Sequence, residues 1–243
     1  MNPTITKGYR FFLLALVFFM GISAERVGLI EYYSDPWEQE YVFYLVRQHL
    51  YLVFVSMGLA VVTGLTVGIV ISRKRFRKYS GMVMYIVGLG QTIPSLAVLA
   101  LVMSFLGIGS RPAIFALFIY STLPIARNTL AGILSVSPAI IDAAKGIGMT
   151  SSRILLEVEL PNALDVILIG IRVAVVINIG TAALGYLIGA GGMGDLIFTG
   201  ISLMQTDKLL AGALPVVLMA LTADYLVELL GIIIIPKGIR LAE

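Results

Sequence analysis

The sequence contains no cysteine, one histidine (His49) and few charged side chains. Without cysteine the chain forms no disulfide bond and offers no thiolate to a metal ion, and one histidine cannot build a metal site or a Ser/His/Asp catalytic group. A Gly-x-x-x-x-Gly-Lys-Ser/Thr phosphate loop is also missing, so this chain cannot hydrolyse ATP alone. We therefore predict no catalytic residue, no metal ion and no cofactor in this chain.

Charged residues make up only 13% of the 243 positions, whereas hydrophobic residues make up 59%. A soluble chain would have to bury nearly every residue, so a chain that crosses the membrane several times is the simpler explanation. Each helical crossing takes about 20 mainly apolar residues, which leaves no room here for a separate soluble catalytic domain. The net charge of +3 does not indicate nucleic-acid binding, because the cations are confined to particular loops.

Six continuous apolar runs predict six membrane-spanning helices. Their residues do not alternate between apolar and polar, as the strands of a membrane β-barrel would. The runs cover 11–30, 50–71, 81–105, 112–134, 163–188 and 209–235. The sequence therefore predicts an all-α polytopic transmembrane bundle with about six spans.

Lysine and arginine collect in loops that six alternating spans place on one side, and short loops rich in these residues stay cytoplasmic. They are Lys7, Arg10, Arg73, Lys74, Arg75, Arg77, Lys78, Lys237 and Arg240. We therefore expect both termini and the loop 135–161 in the cytoplasm. The opposite side would hold an acidic, aromatic loop over 31–48, the turn 107–111 and the stretch 189–208.

This topology divides the chain into three parts. Residues 1–49 would form an N-terminal transmembrane helix and an extracytoplasmic loop, 50–235 the transmembrane domain, and 236–243 a cytoplasmic tail. The acidic, aromatic loop fits either a docking site for a substrate-binding protein or a belt of interfacial aromatic side chains with solvated acids. We favour the belt.

The N-terminus has a second interpretation, a secretory signal cleaved near Ala24. We favour a retained first helix. Apolar character resumes at Val27, after the pair Glu25 and Arg26, and brings the run to spanning length.

The loop 135–161 is a polar island between two spans. Pro138 can begin a short helix that Gly146 and Gly148 end. Thr150 or Ser151 can cap a second short helix, Arg153 to Leu160, that ends at Pro161. We expect a helical hairpin whose small residues let another protein approach closely.

The spacing of residues in this loop resembles the cytoplasmic EAA motif of ATP-binding-cassette importer permeases. The motif has an acidic residue and two alanines, then a glycine, and after a fixed interval an aliphatic residue followed by Leu-Pro. Here it is filled by Asp142, Ala143, Ala144, Gly148, Val158, Leu160 and Pro161. Asp142 replaces the usual glutamate and Val158 the usual isoleucine, which keeps the charge sign and the branching.

Three further segments carry the resemblance. The glycine-rich segment 189–197 is similar to one in permeases of the methionine-importer type. Segments 90–95 and 177–181 look most like those of permeases for glycine betaine, carnitine, choline and related osmoprotectants.

The resemblance implies a type I importer permease in the bacterial inner membrane. Its island would contain a coupling helix, which sits in a groove of a separate ATPase subunit that binds ATP and Mg²⁺. A second permease chain, identical or homologous, and an extracytoplasmic substrate-binding protein would complete the importer. The plainer alternative is that the island is only an amphipathic surface hairpin.

Charged residues within the spans point to a second site. Arg172 lies early in the fifth span, whereas Asp224 and Glu228 lie late in the sixth, so antiparallel helices bring them to one depth. Intramembrane charges are costly unless paired or hydrated. We favour a structural ion pair, or an Arg172 side chain that extends to the cytoplasmic surface, over a substrate role.

Polar residues inside the third and fifth spans suggest a translocation path or gate. Gln91, Thr92 and Pro94 interrupt the third span, where proline removes a backbone donor. A kink that only improves packing explains them equally well. Asn178 and Thr181 belong to the same group.

Two Gly-x-x-x-Gly pairs, Gly64 with Gly68 and Gly185 with Gly189, allow helices to pack closely. They could form seams between two copies, although contacts within one chain are the simpler explanation.

Other functions fit parts of this sequence. A permease for an amino acid or another small solute stays within the same class. A secondary transporter driven by an ion gradient would use Asp224 and Glu228 as ion sites, although we find no internal repeat. A purely structural membrane protein is a third alternative.

Overall fold

The computed structural model describes residues 25–235, and these residues fold into helices without a β-strand. Residues 1–24 and 236–243 lie outside the described part of the chain. The beginning of the first span, the signal-peptide alternative and the cytoplasmic tail therefore fall outside it, as do the terminal residues Lys7, Arg10, Lys237 and Arg240.

The described chain begins with a short helix α1, Leu29–Ser34, followed by the long helix α2, Pro36–Ser72. Asp35 caps α2, because its carboxylate accepts a hydrogen bond from the backbone N–H of Trp37 at 2.8 Å. At about 1.5 Å per residue, α2 is about 55 Å long and exceeds the hydrocarbon thickness of about 30 Å.

The loop expected over 31–48 is therefore wrong, because most of this stretch is the first part of α2. Its buried residues recur every three or four positions, at Val42, Leu45, His49, Leu52 and Ser56, which is the periodicity of a helix face. Charged and aromatic residues on the other face hide this periodicity in the sequence. The boundary expected at residue 49 falls inside the helix.

The third apolar run forms two helices, α3 (Ser80–Thr92) and α4 (Ser95–Leu106), which meet at an angle of 96°. Between them Ile93 is extended, with φ −85° and ψ 134°, as expected for a residue that precedes proline. Pro94 has no N–H to continue the helix. The bend expected at Gln91 to Pro94 is thus a complete break.

Helix α5, Ser110–Ser135, is the fourth run and leads to the short helix α6, Pro138–Gly146. After a turn, one continuous helical stretch runs from residue 151 to 188. It consists of α7 (Ser151–Arg153), a π-helical turn (Ile154–Glu159), α8 (Leu160–Ala182) and a 3-10 segment (Ala183–Ile188).

The second short helix expected to end at Pro161 is therefore wrong, since Pro161 lies in the first turn of α8. The preceding π-helical turn has a wider ring, closed where the N–H of Leu160 bonds to the carbonyl of Leu155. A proline ring clashes with the carbonyl four residues before it in a regular helix, and the wider turn relieves that clash.

The described part of the chain ends with α9 (Gly194–Leu203) and α10 (Thr206–Ile234). Within the described residues, α2, α5, α10 and the stretch 151–188 are long and apolar enough to cross a membrane, and the bent pair α3–α4 is a fifth candidate. These five elements correspond to the second to sixth predicted spans.

Glycines bring α2, α5 and α8 into close contact. A side chain at Gly64 or Gly68 would lie within 3 Å of Ile125 or Thr129 in α5, and one at Gly170 would collide with Asn128. The pair Gly64 and Gly68 thus packs within the chain, as we favoured from the sequence. Close contact of three backbones forms the central core of the molecule.

Candidate functional site: the α6 surface and the polar sites between the helices

Helix α6 is an exposed helix in the connection between α5 and α8, two of the three central helices. Pro138 occupies its first turn, where the missing N–H has no helical partner anyway. Beyond its end, Gly148 has φ +83°, a left-handed conformation that favours glycine. No heavy atom lies within 4 Å of where a Cβ at Gly148 would be, so the backbone alone demands glycine here.

Two residues of the predicted motif, Asp142 and Ala143, are exposed on α6, whereas Ala144 faces inward and is only 6% exposed. Ile147, in the following turn, is 80% exposed. Together with Gly148 and Ile140 these exposed residues form a patch that we call the α6 surface. It combines one acidic side chain with small and aliphatic ones, which suits close contact with another protein.

Asp142 is held by Lys145, whose Nζ lies 2.7 Å from a carboxylate oxygen. The hydrogen bond from Lys145, together with its positive charge, lowers the pKa of the Asp142 carboxyl below its ordinary value. Both side chains remain largely exposed, so the pair orients the carboxylate more than it stabilises the fold.

The second half of the motif, Val158, Leu160 and Pro161, is partly buried where the π-helical turn enters α8. Its neighbour Glu159 binds Arg73, which follows α2, with 2.6 Å between carboxylate and guanidinium. This half of the motif therefore joins the island to the core and leaves the exposed contact surface to the first half.

Arg172 of α8 forms an ion cluster with two acids of α10. Its Nε and Nη2 each donate to Asp224 at 2.8 Å, and Nη2 also donates to Glu228 at 3.0 Å. Paired, fork-shaped hydrogen bonds are the strongest form of this interaction. The structure thus brings together all three side chains that the sequence places at one depth.

Gln91 lies at the α3–α4 break and contacts α5. Its Nε2 donates to the carbonyl of Tyr120 at 2.7 Å, and the hydroxyl of Tyr120 donates back to the carbonyl of Ile93. Thr92 bonds only within its own helix, to Leu89, and Pro94 is exposed. Of the predicted path residues in this group, Gln91 therefore bonds to the neighbouring helix α5, whereas Thr92 and Pro94 are exposed.

Asn178 joins three helices. Its Nδ2 donates to Ser56 in α2 at 3.0 Å and to Ser121 in α5 at 2.7 Å, and all three residues are fully buried. The structure therefore places Asn178 in a satisfied polar contact in the core. Thr181, one turn on, is partly buried.

Sequence reasoning missed the polar contacts of His49, which is fully buried. Its Nε2 donates a hydrogen bond to the carbonyl of Ile179 at 3.0 Å. The other ring nitrogen, Nδ1, then carries no proton and accepts from the N–H of Met193 at 3.4 Å. The neighbouring Gln48 accepts from the N–H of Gly192 at 3.0 Å. A lone histidine beside a glutamine on an apolar helix face was the available signal.

Three comparisons with known proteins bear on this arrangement. Residues 64–232 match the model of the binding-protein-dependent transport system inner membrane component. The chain belongs to this family. The match covers the island, α5, α8 and all but the last two residues of α10.

Similar proteins of this family include permeases that are named after the solutes they transport. The chain is 47% identical to the osmoprotectant import permease protein OsmY of Salmonella typhimurium, over 90% of this chain and 89% of that protein. It is 42% identical to the carnitine transport permease protein OpuCB of Listeria monocytogenes, over 81% of this chain and 89% of that protein.

Among solved structures, an inward-facing MetNI methionine ABC transporter matches with a TM-score of 0.69 and 25% identity, over 84% of this chain and 99% of that chain. An amino acid ABC transporter with histidines matches with a TM-score of 0.68 and 20% identity, over 82% and 96%. The predicted family, the all-α permease fold and the role of a transport subunit are confirmed. The protein is a membrane component of an ABC transporter.

Proposed function

We propose that this chain is the permease subunit of an importer for quaternary-ammonium osmoprotectants such as glycine betaine, carnitine or choline. The names of its relatives, at 40 to 47% identity, support this substrate class. Two permease chains would surround the path, and an extracytoplasmic binding protein would deliver the solute.

The position of the α6 surface is the main support for a role in coupling ATP hydrolysis to transport. Helix α6 follows α5, and the chain returns from it through α7 and the π-helical turn into α8, where the Arg73–Glu159 pair links this return segment to the end of α2. A separate ATPase that binds Asp142, Ala143 and Gly148 would therefore displace the three central helices α2, α5 and α8 together. ATP and Mg²⁺ would be bound by that ATPase, on the cytoplasmic side.

Reconstituted liposomes provide the test. The permease, its ATPase and its binding protein should accumulate labelled glycine betaine or carnitine only with ATP, and a hydrolysis-inactive ATPase should abolish uptake. Collapse of the proton and sodium gradients should leave uptake unchanged. Uptake that survives loss of the ATPase would refute the proposal.

The alternatives predict different results. An amino-acid permease would keep the dependence on ATP but take up an amino acid in place of the osmoprotectants. A secondary transporter would need carboxylates that are available to ions, whereas Asp224 and Glu228 both bind Arg172. That contact counts against the gradient-driven mechanism.

A further inference from the structure

Arg127 is an exposed arginine within the span α5. It lies eight positions before Ser135, the last residue of the helix, which corresponds to about 12 Å along the axis. Among residues 25–235, no acidic side chain forms an ion pair with it. An arginine at such a depth is costly unless something compensates its charge.

Arg127 lines a groove of about 300 Å³ between α3 and α5. The opposite wall contains Tyr85, Leu89 and Thr92, at intervals of four and three residues on one face of α3. The groove ends at Gln91, beside the break between α3 and α4. It therefore lies where backbone continuity is interrupted within the membrane, a common location for solute sites in transporters.

The two walls of the groove offer different chemical groups. The guanidinium of Arg127 matches a carboxylate in charge and in fork geometry. Tyr85, which is 70% exposed, offers an aromatic face, the usual partner of a quaternary ammonium group. A solute that carries both groups on one short skeleton would satisfy both walls.

We propose that this groove binds zwitterionic osmoprotectants during passage, with Arg127 holding the carboxylate and Tyr85 facing the trimethylammonium group. This inference rests on the proposed function and extends it. It separates two classes of solute, because a betaine or carnitine has the carboxylate and choline does not. The groove thus favours betaines over choline independently of the binding protein.

The test measures direct binding to the purified permease–ATPase complex without its binding protein. Labelled glycine betaine, carnitine and choline are compared by equilibrium dialysis. The wild-type complex should bind the two carboxylate-bearing solutes about 10-fold or more tightly than choline, since a charged hydrogen bond is lost in choline. Arg127→Gln should remove this difference, whereas Arg127→Lys should keep part of it.

Two further variants locate the contacts. Tyr85→Leu should weaken binding of betaine and choline alike, because it removes the partner of their common group. Arg111→Gln is the matched control, since Arg111 is an exposed arginine at the other end of α5. It should leave all affinities unchanged.

Three results would overturn this proposal. If Arg127→Gln binds betaine as the wild type does, or if the wild-type complex binds neither solute, the groove is not the site. If Arg127→Gln alters only assembly of the complex or the lipid that co-purifies with it, Arg127 contacts a second chain or a lipid phosphate instead. ATP-dependent uptake in liposomes still tests the proposed function in each case.

Discussion

Gln91 donates a hydrogen bond from its side-chain amide to the backbone carbonyl of Tyr120, at 2.7 Å. In a regular helix that carbonyl would accept from the N–H four residues later, but the residue there is Pro124, which has none. The glutamine of the broken helix thus supplies the donor that the proline of its neighbour lacks. The two helices are thus joined at the point where each of them departs from regular helix hydrogen bonding.

Replacing Gln91 should expose this dependence. Gln91→Leu leaves the Tyr120 carbonyl without a partner, which costs about 1–3 kcal/mol. We expect a lower melting temperature in detergent. Pro124→Ala restores an N–H within α5, so the same Gln91→Leu change should cost less in that background. Equal costs in the two backgrounds would contradict the explanation, and Thr92→Val, which alters only a local bond, is the control.

The Arg73–Glu159 pair should matter for stability and for coupling. Arg73→Gln leaves a largely buried carboxylate unpaired, and we expect a loss of about 1–3 kcal/mol and less solute transported per ATP hydrolysed. Arg153→Gln is the control, because its partner Glu157 lies in an exposed pair worth less than about 1 kcal/mol. Identical losses in both variants would show that the buried pair has no special role.

Changes in the α6 surface should uncouple ATP hydrolysis from transport. Gly148→Val forces a β-branched residue to φ +83°, at a cost of about 1–3 kcal/mol, and Asp142→Lys reverses the exposed charge. We expect both proteins to insert and bind the binding protein, while ATPase activity continues and uptake falls. The control is Gly146→Ala, at a helical position with open space. Normal uptake in both variants would refute the coupling role.

The ion cluster of Arg172 predicts a charge-swap result. Arg172→Asp places three acids together between α8 and α10, and we expect little folded protein in the membrane. Adding Asp224→Arg should restore an ion pair and recover expression, as measured by fluorescence-detected size exclusion. A charge reversal that is harmless alone would show that the cluster does not hold these helices.

Local patterns in the sequence predict much of this fold and only part of the site. Apolar runs locate the spans, Pro94 locates the break, and the motif spacing locates the island. The length of α2 and the continuity through Pro161 do not follow from them, because a mixed polar face and a π-helical turn mask the helix signal.

Contacts between helices that lie far apart in the sequence are the part of the structure that the sequence does not predict. The pairing of Gln91 with Tyr120 depends on which helix lies beside the break, and so does the groove at Arg127. Arg172 and its partners are the exception. Unpaired charges are costly inside a membrane, so charged residues at the same depth on neighbouring helices are expected to pair.

The glycine contacts that join α2, α5 and α8 also limit how the molecule can move. With backbones this close and Asn178 bonded to both other helices, these three helices have no room to slide past one another. We therefore expect the trio to move as one unit. In the two-chain importer proposed above, alternation between inward- and outward-facing states would then come from rotation of whole subunits against each other, with the gate at the seam between the two chains.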